Sequence, residues 1–170
     1  LARAERLLSP LAASATATGD VLALLGQVQR LRGNAAAAEQ TFQRAVARLP
    51  ASPQTFLDLA DTAERLHHLT IARSAVIDYA AIASDPEDRQ RAFVRAATLS
   101  LALDDPDAAE SWATLAADNA PRDVSALVAL ATAQHQRGRE AEARQSVSRG
   151  LAIEPRHPAL TRLQRRLTRR

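Results

Sequence analysis

Residues 19–52 read GDVLALLGQVQRLRGNAAAAEQTFQRAVARLPAS, and residues 124–157 read VSALVALATAQHQRGREAEARQSVSRGLAIEPRH. At an offset of 105 the two stretches agree at 11 of 34 positions without a gap. Leu22, Leu25, Gln29, Arg32, Gly33, Ala36, Ala38, Gln40, Arg44, Ala47 and Pro50 fall on Leu127, Leu130, Gln134, Arg137, Gly138, Ala141, Ala143, Gln145, Arg149, Ala152 and Pro155. Self-similarity at such a period marks a supersecondary unit that buries its apolar face only by stacking on copies of itself. The offset is three periods of 34 plus three residues, which leaves room for two inner units and one three-residue insertion.

The inner units can be placed. Phe56, Leu59 and Ala72 lie 34 residues after Leu22, Leu25 and Ala38; Phe93, Ala109 and Pro121 lie 34 before Leu127, Ala143 and Pro155. The insertion falls at Ser84-Asp85-Pro86-Glu87-Asp88. Small residues recur where two helices of a unit cross: Gly26, Ala60, Ala97 and Ala131 from the first helix, Ala38, Ala72, Ala109 and Ala143 from the second. Gly33 and Gly138 sit where a first helix should end in a left-handed residue. Asp85-Pro86 and Asp105-Pro106 read as N-cap followed by the first helical residue. His157-Pro158 repeats the proline signal without a good cap. The spacing predicts helices over 20–32, 35–49, 53–67, 70–83, 86–103, 106–119, 122–137, 139–153 and 158–168. Residues 1–13 match the second helix of a truncated preceding unit, with Pro10 expected to bend or end it.

Composition agrees with helices. Hydrophobic residues make up 46% of the 170-residue chain and aromatics only 3%. The apolar content is carried by alanine and leucine, good helix formers, rather than by the β-branched and aromatic residues of strands. There is no cysteine, which excludes disulfides, thiolate metal sites and cysteine catalysis. No apolar run approaches the length that spans a bilayer. The compartment is left open between bacterial cytoplasm and periplasm, with no targeting segment in these residues. Every basic residue is arginine, which suits a high-GC bacterial genome. The net charge of +3 comes from one end: residues 158–170 hold Arg162, Arg165, Arg166, Arg169 and Arg170 and no acid, leaving 17 basic against 19 acidic residues elsewhere.

With its large residue, Leu and small residue in the first helix, Ala, aromatic and Ala in the second, and a closing proline, the unit resembles the tetratricopeptide repeat. The first unit shows this as Leu22, Leu25-Gly26, Ala38, Phe42, Ala45 and Pro50. The resemblance covers about nine-tenths of the chain and is weakest in the third unit. It implies an all-α, right-handed α-solenoid of stacked antiparallel helix pairs with about nine helices. It divides the chain into a half-unit at 1–18, repeats at 19–52, 53–89, 90–123 and 124–157, and a basic capping helix at 158–170. First helices then line a concave groove suited to an extended peptide or a partner helix. Its candidate residues are Gln27, Arg30, Leu57, Asp61, Glu64, Arg91, Arg95, Thr98, Val128, Thr132 and His135. Their alternating polarity argues against a phosphate track, so no nucleic acid is expected. The family's co-chaperones hold a terminal carboxylate with lysines and asparagines. Arg91 and Arg95 resemble the basic part of that clamp, but Gln27 and Asp61 replace its asparagines and Ala23 its first lysine. That activity is not expected.

Catalytic templates are not met. The five glycines are scattered, with no phosphate-cradling loop, and no serine sits in a nucleophile elbow. His67-His68 are helix neighbours about 100° apart, which suits a polar helix end facing solvent rather than a shared metal. His135 reads as solvated, with a ligand contact as the sharper alternative. Asp85, Glu87 and Asp88, and Asp104, Asp105 and Asp107, flank helix-starting prolines, so capping accounts for them without a cation. Neither metal nor cofactor is expected. Trp112 reads as packing between units. The arginine-rich end is either a solubilising cap or an anion contact, its Leu160, Leu163 and Leu167 stripe facing the fourth unit. The reading is a non-catalytic interaction scaffold. Its alternatives are an accessory domain of a larger bacterial enzyme or exopolysaccharide secretion protein, and a self-assembling homo-oligomer.

Overall fold

A computed structural model describes residues 1–48 and 50–168. Leu49, Arg169 and Arg170 lie outside the described residues. The described residues form ten helices and no strand: α1 Ala2–Ala13, α2 Gly19–Leu31, α3 Ala35–Val46, α4 Pro53–Arg65, α5 Leu69–Ile82, α6 Pro86–Ala102, α7 Pro106–Asn119, α8 Val124–Gln136, α9 Glu140–Ile153 and α10 Pro158–Thr168. They group into two compact units, Leu1–Ala83 and Ser84–Arg170.

Within the first unit α1 packs on α2, α2 on α3, α3 on α4 and α4 on α5. Within the second, α6 packs on α7, α7 on α8, α8 on α9 and α9 on α10. Each adjacent pair is joined by a short turn, so both units are runs of antiparallel helices. The turns inside α2–α3, α4–α5, α6–α7 and α8–α9 all reverse the chain in the left-handed region, at Gly33 (φ 82°), His67 (φ 59°), Asp104 (φ 55°) and Gly138 (φ 73°). Their spacings are 34, 37 and 34 residues. Glycine takes this conformation freely, whereas histidine and aspartate adopt it only where the surroundings fix it.

Helix starts follow their caps. Asp85 accepts from the Glu87 and Asp88 amides at 2.7 and 3.0 Å, Asp105 from Ala108 at 3.1 Å, and Asp123 from Ser125 and Ala126 at 2.9 and 3.3 Å. Asp123 is why α8 begins at Val124 and not at the expected 122. His157 offers only a long cap, its ring Nδ1 lying 3.5 Å from the Leu160 amide. Pro10 does not end its helix. Helix α1 runs through it to Ala13. Pro10 and Arg6, whose carbonyl loses its donor, are both exposed, which leaves that carbonyl open to solvent.

The helix crossings are as tight as the small residues demand. Ala38, Ala60, Ala72, Ala97, Ala109, Ala131 and Ala143 are all fully buried. A Cβ at Gly26 would sit 2.7 Å from the Phe42 ring, itself completely buried. The residues at this crossing change with the repeat: Gly26 meets Phe42, and the equivalent register positions hold Ala60 and Val76, Ala97 and Ala113, and Ala131 and Val147, all buried. Trp112 stacks on Phe93 of α6, its own helix pair, with ring centroids 5.9 Å apart. The two rings cover a cluster of α6, α7 and α8 residues that includes Ala97, Ala113, Leu127 and Leu130.

Candidate functional site

The first helices α2, α4, α6 and α8 carry all eleven sequence-predicted groove residues, and each of the eleven keeps exposed surface. In the first unit, Gln27 and Arg30 are half-buried and share one acceptor. Gln27 Nε2 donates to Asp58 Oδ2 at 2.9 Å, and Arg30 donates to Asp58 Oδ1 at 3.3 Å. Gln54 donates to the same Oδ1 at 3.3 Å. Asp58 is only 3% exposed, so this carboxylate is satisfied by three donors drawn from two first helices. Leu57 and Glu64 beside it are half-buried and Asp61 is exposed.

In the second unit, Arg91 is exposed and pairs with Asp88 and Glu87 of its own helix. Thr98 and Thr132 turn their hydroxyls back onto the Val94 and Val128 carbonyls at 2.9 and 2.7 Å. Arg95 is half-buried, and Val128 packs against the Val147–Leu160 cluster. His135 is not solvated as expected: its Nδ1 donates to Glu140 at 3.1 Å, and its side chain is 23% exposed. At the start of α6 an open cleft of about 450 Å³ is lined by Pro86, Glu87, Arg89, Gln90, Arg91 and the Asn119–Ala120 end of α7. Gln90 donates there to the Ala116 carbonyl and to Asp123, both at 3.0 Å.

A second set of polar contacts, between neighbouring helix pairs, was not anticipated. Buried Glu39 on α3 accepts from His68 Nδ1 at 2.7 Å. A carboxylate can only accept, so that ring nitrogen carries the proton. Both histidines face solvent as expected, His68 with 53% of its side chain exposed while its Nδ1 reaches down to Glu39. Buried Glu110 on α7 occupies the corresponding place and takes two arginines, Arg137 and Arg139. Arg137 also reaches Asp107 at 2.6 Å, and Arg139 reaches Glu142 at 3.1 Å. Glu5 on α1 pairs with Arg32 in the same fashion. The Glu142 carboxyl is held below its ordinary range by a backbone hydrogen bond first and by Arg139 second. One further bond repeats at the 105-residue offset: Thr41 donates to Gln29 Oε1, and Ser146 to Gln134 Oε1, each at 2.8 Å. The signal that could have exposed the carboxylates is positional, since Glu5, Glu39 and Glu110 share one place in the repeat register.

Among the described residues no group of three or more His, Asp or Glu could hold a metal ion, and no helix is long and apolar enough to cross a membrane. No protein-family model matches the chain, and no curated protein matches it either. Solved structures do. YrrB, a TPR protein with an unusual peptide-binding site, superposes with a TM-score of 0.71 over 96% of this chain and 84% of its own, at 14% identity. The chain has the tetratricopeptide-repeat fold. The other similar TPR-fold structures include a MamA AMB-1 structure, with a TM-score of 0.70, 19% identity, and 90% and 82% of the two chains covered. PilF of Pseudomonas aeruginosa gives a TM-score of 0.65 at 16% identity, over 89% of this chain and 68% of its own. At these identities the likeness establishes the TPR fold and the helix pairing.

Proposed function

We propose that the chain is a non-catalytic protein-interaction scaffold whose first-helix faces bind an extended peptide or a partner helix. The observation that carries this reading is that all eleven candidate residues keep exposed surface on first helices whose opposite sides are buried. A TPR-fold relative described as having a peptide-binding site supports it. In the first unit the face presents Gln27, Arg30, Leu57, Asp61 and Glu64; in the second, Arg91, Arg95, Thr98, Val128, Thr132 and His135. Half-buried Leu57 and Val128 offer apolar seats among polar groups, the mix that peptide grooves use for affinity and orientation.

The same reading divides the chain into repeats at 19–52, 53–89, 90–123 and 124–157, with residues 1–18 as the second helix of a preceding repeat and 158–170 as a basic cap. Support for the first piece is the Glu5–Arg32 pair, which mirrors Glu110–Arg137. Leu7 and Leu11 of α1 are 62% and 57% exposed.

The test is a binding screen of a defined peptide pool against the whole chain and four variants. Leu57→Arg and Thr132→Arg alter first-helix faces; Ser74→Arg and Ser111→Arg alter exposed positions on second helices. Peptides lost in the first two and retained in the last two support the reading. Peptides retained by Leu57→Arg and Thr132→Arg alike would place binding elsewhere and refute it.

A further inference from the structure

We propose that the outward face of α10 is a docking surface for an acidic polypeptide segment, separate from the first-helix faces. Helix α10 is seated firmly. Leu160, Leu163 and Leu167 are 0%, 8% and 1% exposed, packed with Val124, Ala131, Ala143 and Val147 of α8 and α9. Gly150 on α9 makes this fit possible, since a Cβ there would collide with Leu160. Arg144 donates to the Leu167 carbonyl at 2.9 Å and ties down the far end. The apolar stripe is thus fully used, and α10 presents only its polar side.

That side is cationic. Arg162, Arg165 and Arg166 stand at i, i+3 and i+4, the spacing that puts side chains about 5–6 Å apart on one helix face. All three are exposed, and none pairs with a carboxylate among the described residues; Arg162 bonds only the Pro158 carbonyl, at 3.3 Å. Arg149 on α9 and Arg156 in the turn before α10 are exposed and equally without a carboxylate partner among the described residues. Residues 143–168 hold a single acid, Glu154. Elsewhere in this unit Arg91, Arg137 and Arg139 each meet an acidic side chain. Guanidinium groups without carboxylates are strong, oriented donors for carboxylates brought by a partner.

The chemistry selects the partner. A bilayer would need the apolar stripe of α10, which is buried in the fold. Single-stranded nucleic acid would need stacking rings, and residues 113–170 contain no aromatic. A duplex carries one charge per about 1.7 Å and runs past so small a patch. Beyond it the duplex meets residues 84–157, with 12 acidic and 9 basic residues. A short acidic segment fits the footprint and is held by charge and hydrogen bonds alone.

The experiment titrates the whole chain into a fluorescein-labelled decaglutamate peptide and follows anisotropy at ionic strengths of about 0.05 and 0.3 M, which bracket the onset of strong screening. Binding at low salt is expected. The triple reversal Arg162→Glu, Arg165→Glu, Arg166→Glu should weaken it at least about ten-fold, and the neutral triple change to Gln should weaken it less. The Gln variant also carries the test if the reversal fails to fold by circular dichroism. A control reversal of the same net charge, Arg3→Glu, Arg6→Glu, Arg48→Glu, should change affinity by less than about two-fold. Equal loss in the control would mean that net charge alone attracts the peptide and would overturn the proposal. So would an absence of binding, or tighter binding of a DNA duplex or of phosphatidylserine vesicles at the same ionic strength.

Discussion

Replacing Gly26 by alanine sets two known effects against each other. Glycine in a helix interior costs about 1 kcal/mol relative to alanine, so from propensity alone Gly26→Ala should stabilise α2 by that amount. The structure predicts the opposite sign. The new methyl would lie 2.7, 2.8 and 3.0 Å from three atoms of the Phe42 ring. Phe42 is completely buried, so the ring cannot swing out of the way. Overpacking of this kind costs about 1–3 kcal/mol, which leaves a net loss of about 1 kcal/mol. Phe42→Val alone should cost about 3 kcal/mol through the cavity it opens. Together the two changes recreate the alanine and valine that stand, buried, at the equivalent register positions 60 and 76, and 131 and 147. The double variant should therefore be more stable than additivity allows, by about 1–2 kcal/mol of coupling. Urea unfolding followed by circular dichroism reads all three, with the midpoint and slope tracked separately. A more stable Gly26→Ala, or a strictly additive double variant, would show that the crossing is not close-packed.

Asp58→Ala should destabilise the first unit by about 2 kcal/mol in the same assay, because Gln27, Arg30 and Gln54 lose a buried acceptor; Asp58→Asn should cost less. Glu110→Gln should cost about 2 kcal/mol in the second unit by leaving Arg137 and Arg139 half-paired, and raising salt should narrow the difference from wild type. Glu142 should titrate below an ordinary glutamate by NMR. Its folded value is depressed, so its contribution is present above the unfolded value and is lost as pH falls through the folded one; Arg139→Ala should reduce the depression only in part, since the backbone bond is the larger cause.

Periodicity and local chemistry were enough for the architecture. Buried alanines at the crossings, left-handed turns at Gly33 and Gly138, and aspartate caps at 85 and 105 depend on neighbours within one helix pair, which the sequence keeps close together. The same logic left Pro10 open between bending and ending its helix, because whether a proline ends a helix depends on whether water can reach the freed carbonyl. The candidate groove residues could be placed on first helices, but not their partners: Asp58 reads as an unremarkable position between Leu57 and Leu59.

The sequence by itself determined that this chain is a stack of helix pairs with small residues at each crossing. A repeat of 34 residues, with apolar positions at helical spacing, leaves few other ways to bury its faces. Only the tertiary structure decided which charges are buried and by whom they are met: Asp58 by Gln27, Arg30 and Gln54, Glu39 by His68, and Glu110 by Arg137 and Arg139. Several of these partners lie about one repeat away along the chain. Long flexible side chains reach them only once the neighbouring pair is docked, and no local pattern distinguishes a glutamate buried against an arginine of the next helix pair from one bound for water.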